Sequence, residues 1–379
     1  MKYPLVDERR WEIVPFKEHP GHDSIWAMVR GADGHIYIGL CWEYSGGGIA
    51  QLYRYNVASK KLEHCLDLGE VTGERPSNGH ATQGKIHFSL CAASDGAIYG
   101  TTHCTTPPMG HAVWNPCGMW DDPLLGYPGG HIFRYDPKSG KAVDFGILFP
   151  NEGLPFMVLD EKRDRLYGIT YPKAHFFRVN MAGRDLVDYG RVSSWYPIGL
   201  CFDPRMNIFF SDTNSQLIKY DVKQDRLIFT RQTPYANPWN ASKRFSWISN
   251  LNLAEDGKIY GTHYHNPHLF RFDPAEETPR IEDLGRGADT DACQQLRCLV
   301  PDGRGRIYYL AWVAKGPGEA GPHFWCCYHL DTGKKEVLGQ LQAHGVTPWS
   351  WIGVTDLEGN IYIKGNGRPM TLAIYHPNA

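Results

Sequence analysis

The residues best suited to chemistry lie in one stretch, 78–107, NGHATQGKIHFSLCAASDGAIYGTTHCTTP. It holds two histidines, His87 and His103, on either side of a tight turn, Ser94-Asp95-Gly96. The run Lys85–Ala93 reads as a strand into that turn, and Ala97–Cys104 as a strand out of it. Antiparallel pairing about a short turn brings the outer ends together, so the two histidines are expected side by side at one end of a sheet. Tyr171 falls at the position equivalent to His103 in the next copy of the pattern. Imidazole and phenol groups are suited to giving and taking protons. Any one of them alone is more simply a packed polar group; three converging on one rim favour a catalytic role.

Three arginines are expected on the same face, Arg191, Arg244 and Arg297, in or just after the loops that enter later repeats. A guanidinium there can grip a carboxylate with two parallel hydrogen bonds and lower the pKa of a neighbouring tyrosine. Each could equally serve a surface or inter-blade salt bridge. Tyr264 and Trp312 share the strand position of His103 and are candidate substrate contacts. Trp42, Trp195, Trp239, Trp247, Trp349 and Trp351 add aromatic surface that is either packing or a platform for sugar faces. His263 and His265, alternate residues with His268 close by, could reach one metal ion from one face of a strand, against the commoner outcome of no metal. There is no G-x-S-x-G, P-loop or dinucleotide fingerprint, and no carboxylate pair stands out by spacing.

The elements that must position these groups repeat. A turn followed by an aliphatic–aromatic pair recurs at Ile36-Tyr37, Ile98-Tyr99, Leu166-Tyr167, Ile208-Phe209, Ile259-Tyr260, Ile307-Tyr308 and Ile361-Tyr362, with a mean spacing of about 54 residues. Asp-Gly precedes most copies, as at Asp33-Gly34, Asp95-Gly96, Asp256-Gly257 and Asp302-Gly303. A third strand with alternating aromatic and charged residues follows in each, such as IFRYDP at 132–137, and then a fourth. Seven four-stranded units predict an all-β, seven-bladed propeller in one domain, 1–379, with repeats near 22–69, 84–146, 154–190, 196–231, 246–285, 294–338 and 349–377. The last repeat stops after its third strand, and residues 9–14 can supply the fourth, closing the ring. The longest loop, 104–130, follows His103 and reads as a wall or lid.

Composition narrows the function classes. The chain of 379 residues is 42% hydrophobic and 21% charged, with a net charge of -2, which offers no broad surface to a polyanion; nucleic acid is not an expected partner. No apolar run is long enough to span a bilayer, and no membrane partner is expected. The first residues lack the apolar segment of a signal peptide, which predicts a cytoplasmic protein as numbered, or a secreted or periplasmic one if a leader has been removed. Ten cysteines without a C-x-x-C pair read mainly as free buried thiols.

The hairpin KIH…DGAIYGTTH (85–103), with LYGITYP and HFFR across 166–178 and DYGR at 188–191, resembles the seven-bladed polysaccharide lyases, the ulvan lyases and rhamnosyl-glucuronate lyases. The likeness spans the whole blade pattern and is most specific across the second to fourth repeats. It implies β-elimination at a 4-linked uronic acid next to rhamnose. Tyr171 would be base, or base and acid. His87 and His103 would provide the second proton-transfer group and a carboxylate or hydroxyl contact. Arg191 and Arg244 would neutralise the carboxylate. A structural zinc or calcium is also implied, with no full ligand set to match it. The expected partner is an acidic oligosaccharide or polysaccharide. The alternatives are a glycoside hydrolase releasing rhamnose from rhamnosyl-glucuronate, and a non-catalytic glycan- or protein-binding propeller.

Overall fold

A computed structural model describes residues 3–43, 46–111, 122–194, 199–234, 248–264, 266–288, 293–316 and 319–378. Seven antiparallel sheets follow one another along the chain, and the fold is a seven-bladed β-propeller. Each repeat builds one blade; the third, for example, runs Gly153–Asp160, Arg165–Tyr171, His175–Val179 and Val187–Arg191. The seventh has Gly353–Thr355, Ile361–Lys364 and Thr371–Tyr375, and its outer strand is Trp11–Pro15 from the start of the chain. That strand closes the ring, one to two residues further along than residues 9–14. Among the described residues no helix is long and apolar enough to cross a membrane.

The repeat motif has a local cause. The turn aspartate folds back on its own turn: Asp95 accepts from Ala97 N–H at 2.8 Å, and Asp256 from Lys258 N–H at 3.1 Å. The following glycine takes the left-handed conformation, as at Gly96 with φ 95°. The repeat tyrosine then donates to the same aspartate, Tyr37 to Asp33 at 2.7 Å and Tyr260 to Asp256 at 2.9 Å. Turn, aspartate and aromatic ring are thus one hydrogen-bonded device. The glycine after the aromatic has a packing reason. A Cβ on Gly100, Gly168 or Gly261 would lie 2.4, 2.5 or 2.2 Å from the phenylalanine ring of the third strand.

By packing the chain divides into two units. One, residues 14–196 with 367–371, holds the first three blades. The other, 1–13, 197–366 and 372–379, holds blades four to seven. Each has its own apolar clusters. In the first, Tyr37, Leu52, Ile86, Ile98 and Phe133 pack together. In the second, Trp11, Tyr308, Trp325 and Tyr375 form a group of edge-on and stacked rings 5.0–5.7 Å apart. The nine described cysteines are free thiols, all but Cys65 buried.

Candidate functional site

In the unit formed by the first three blades, three of the predicted residues meet in a row. The rings of His87 and His103 are 5.5 Å apart, and those of His103 and Tyr171 5.0 Å, both edge to face. The hairpin does what its spacing implied: Lys85 pairs with His103 across the sheet. The inner strand, however, is not continuous from 85 to 93. It breaks into Lys85–Ile86 and Cys91–Ala92, with His87 in the gap. The freed backbone bonds to the blades before and after it: His87 bridges Trp26 of the first, and the Phe88 carbonyl accepts from Met157 N–H of the third at 3.3 Å. The break lets His87 stack on Trp26, with centroids 4.8 Å apart and planes 24° from parallel, while Phe88 and Phe156 close its other sides.

Two further features fix the row. Gly153 pairs with Tyr171 at the mouth of blade three, and a Cβ there would fall 2.1 Å from His103 Nδ1. Only glycine lets this strand pass so close to the imidazole. Lys85 is buried at 2% exposure and forms an ion pair with Glu43 at 2.8 Å; the other Glu43 oxygen accepts from Trp26 Nε1 at 2.7 Å. A buried lysine without that partner would cost several kcal/mol, on the order of 3–5. Sequence reading missed this pair, because Glu43 belongs to a different blade from Lys85 and no spacing links them.

Burial sets the electrostatics. It pushes His87 down to about 3, helped by the Lys85 charge, and takes His103 well below the ordinary histidine range, with His87 and Lys85 adding to the effect. Both rings are therefore neutral at pH 7. His87 bonds to the Pro155 carbonyl, while its Nδ1 is buried with no hydrogen-bond partner among the described residues. An anionic ligand against these rings would favour their protonated forms and so strengthen them as bases.

Part of the long loop 104–130 is tied to this site. Tyr127 is buried against Ala81, Cys104 and Tyr171, and its hydroxyl donates to Gln83. Gln83 in turn donates to the Gly129 carbonyl at 3.1 Å. The loop's middle, 112–121, with Trp114 and Trp120, lies outside the described residues.

The other predicted residues are placed less uniformly. Arg191 ends the outermost strand of blade three and is exposed; its Nε and NH2 donate to the Ser193 and Ser194 carbonyls at 2.8 Å each. To clamp a carboxylate it would have to exchange these bonds. Arg244, His265, Trp195, Trp239 and Trp247 lie outside the described residues. His263 is buried and shares a 2.6 Å hydrogen bond with Ser215. His268 pairs through Nδ1 with Asp283 at 3.0 Å, toward the outer strand of the blade. Among the described residues no group of three or more histidine, cysteine or acidic side chains is placed to hold a metal ion. The ligand set implied for zinc or calcium is thus not found among the described residues.

In the other unit, Arg297, Trp312 and Tyr264 do come together. The Arg297 guanidinium lies 5.4 Å from the Trp312 ring, 4.9 Å from Trp349 and 4.3 Å from Trp351, and Tyr264 stacks on Trp351 at 5.4 Å. Gln294 stands eight residues before the turn aspartate Asp302, as His87 stands before Asp95. The buried rim residue is Gln295, opposite Trp312, and Gln294 is exposed. Bulges in the strand Cys293–Pro301 shift the count by one.

No family model matches the chain, and no curated protein matches it by sequence. Solved structures match it by fold. A virginiamycin B lyase from Staphylococcus aureus superposes with a TM-score of 0.64 at 10% identity, over 96% of this chain and 98% of that one. A catalytically inactive histidine-to-alanine variant of the same lyase, with quinupristin, gives 0.62 at 9% identity, over 96% and 98%. YCF48 bound to D1 peptide gives 0.60 at 10% identity, over 100% and 98%. At these identities the likeness establishes the seven-bladed propeller and nothing finer; propellers of this kind serve both enzymes and binding proteins.

Proposed function

We propose that this chain is a carbohydrate lyase that cleaves a 4-linked uronic acid by β-elimination. The observation that carries the reading is the row His87–His103–Tyr171, three proton-transfer groups in ring contact across two blades. The reaction needs a base for the proton on C5, stabilisation of the enolate-like charge on the carboxylate, and a proton for the oxygen leaving C4. Tyr171 is the base, and returns the proton to the leaving oxygen. Neutral His103 can donate one hydrogen bond to the carboxylate, and His87, whose one N–H is taken by the Pro155 carbonyl, can accept at Nδ1 from a sugar hydroxyl. The apolar surround of Trp26, Phe88 and Phe156 strengthens those bonds by keeping water away. The identity of a fold neighbour as a lyase agrees with this class of chemistry.

One observation favours a second reading, a non-catalytic binding propeller: His87, His103 and Tyr171 are only 5%, 1% and 4% exposed, as packed rings between blades would be. Ultraviolet absorbance separates the two. Incubation with ulvan or rhamnosyl-glucuronate oligosaccharides should give rising absorbance from the conjugated unsaturated uronate. Sugar release without that rise would assign hydrolysis, and no turnover on a broad uronate panel would favour the binding scaffold.

A further inference from the structure

The unit of blades four to seven contains a buried cation with no described counter-charge. Arg297 is 8% exposed. Its Nε donates to Gln295 Oε1 at 2.8 Å, and the remainder of the guanidinium faces Trp312, Trp349 and Trp351. No described carboxylate forms an ion pair with it. Tryptophan faces attract a cation, but they do not satisfy its N–H groups as an anion does. Two neighbours also have open valences. Gln295 Nε2 and both ring nitrogens of His323 are buried with no hydrogen-bond partner among the described residues. Gln295, Trp312 and His323 lie directly opposite one another across three adjacent strands, so their side chains share one face of the sheet, and Arg297 joins them two residues along. The Lys364 ammonium, over Trp349 at 4.5 Å, brings a second positive charge to the same aromatic wall.

Natural proteins rarely leave several polar groups in one place buried and unmatched, and where they do, a ligand or water is the usual complement. We infer that Arg297, Gln295 and His323 form an anion site of their own, which takes a monocarboxylate bearing hydroxyl groups, with Trp312, Trp349 and Trp351 as its walls. Arg297 and the Gln295 amide donate to the carboxylate. His323 is held neutral, pushed down to about 4 by burial and by the Arg297 charge. It therefore has one nitrogen to donate and one to accept a hydroxyl. Trp312, Trp349 and Tyr264 are only half-buried, which leaves the site reachable from solvent. A sugar acid fits this description: one charge, several hydroxyls, and a C–H face for an indole. The site does not depend on the lyase reading and would stand if that reading fell.

The test uses the full chain and sodium glucuronate, with glucose and with sodium chloride at equal ionic strength as controls, and sodium phosphate as a second anion. Thermal midpoint and tryptophan fluorescence are read together. Glucuronate should raise the midpoint and saturate the fluorescence change in the wild type and in Tyr171→Phe, while neither control does. Arg297→Met should abolish the response, and in ligand-free buffer its midpoint should equal or exceed that of the wild type, because it removes an uncompensated buried charge. Arg297→Lys keeps the charge but loses the fork and should bind at least roughly tenfold more weakly, as should His323→Phe. The inference is overturned if glucuronate acts no more strongly than chloride, if Arg297→Met or Arg297→Lys responds like the wild type, or if phosphate alone binds. A ligand-free Arg297→Met midpoint several degrees low, with no glucuronate effect on the wild type, would make Arg297 a structural pin instead.

Discussion

Two buried polar clusters, one in each unit, meet the same problem in opposite ways. In the first three blades, His87 and His103 lose their charge to burial and pack as neutral rings between aromatic neighbours. In blades four to seven, burial acts on Arg297 too, but brings it down only to about 10, so it stays charged at neutral pH. A histidine can discard its proton when desolvated; an arginine cannot, and must wait for a partner. The difference suits the first cluster to moving protons and the second to holding an anion.

The largest effect should come from the first cluster. Tyr171→Phe removes the base and should cut turnover by about 10²–10⁴-fold while the thermal midpoint stays nearly constant. Retained activity in a rate assay would eliminate Tyr171 as the base. Next, Glu43→Ala leaves Lys85 charged and buried, and should cost about 3–5 kcal/mol in urea unfolding. A loss under 1 kcal/mol would mean that Lys85 finds another partner. Gly153→Ala forces a methyl group against His103 and should cost about 1–3 kcal/mol with a matching fall in turnover, whereas the same change at exposed Gly140 would leave turnover intact.

Smaller effects appear with pH, and their signs differ. His87, His103 and His323 have folded pKa values below the ordinary 6.5. The unfolded chain therefore takes up protons first as pH falls, and the stability these groups contribute above 6.5 is lost on the way toward about 3. His131 does the reverse. Burial disfavours its charge, but Asp144 at 2.9 Å and Glu74 at 3.8 Å prevail and raise it to about 9. Its contribution is complete below 6.5 and lost as pH rises through 9. Urea midpoints from pH 4 to 10 should fall at both ends, with His131→Gln flattening only the alkaline arm.

The parts legible in the sequence were those with local causes. The Asp-Gly turns and repeat tyrosines are visible because Asp33, Asp95 and Asp256 bond residues only two to four positions away. The nearness of the His87 and His103 rings, and the closing strand, followed from hairpin geometry and a missing fourth strand. What was not legible depends on contacts between blades or on slips within a strand. The gap at His87 exists because neighbouring blades take over its backbone bonds. The one-residue slip from Gln294 to Gln295 comes from bulges that periodicity cannot show. For Arg191 the sequence leaves a carboxylate grip and a salt bridge equally open, and the bonds it makes are to the Ser193 and Ser194 carbonyls of its own loop, which no spacing shows. His323 faces Trp312 from a third strand, Glu319–His329, on which the spacing marked no position.

The most direct test is the absorbance progress curve of the wild-type chain on a rhamnosyl-glucuronate oligosaccharide, run beside its carboxyl-reduced counterpart and beside Tyr171→Phe. The account predicts rising ultraviolet absorbance only for the wild type on the acidic substrate, since elimination requires both the base and the carboxylate that stabilises the carbanion. Equal rates on the reduced substrate, or an undiminished rate with Tyr171→Phe, would contradict it.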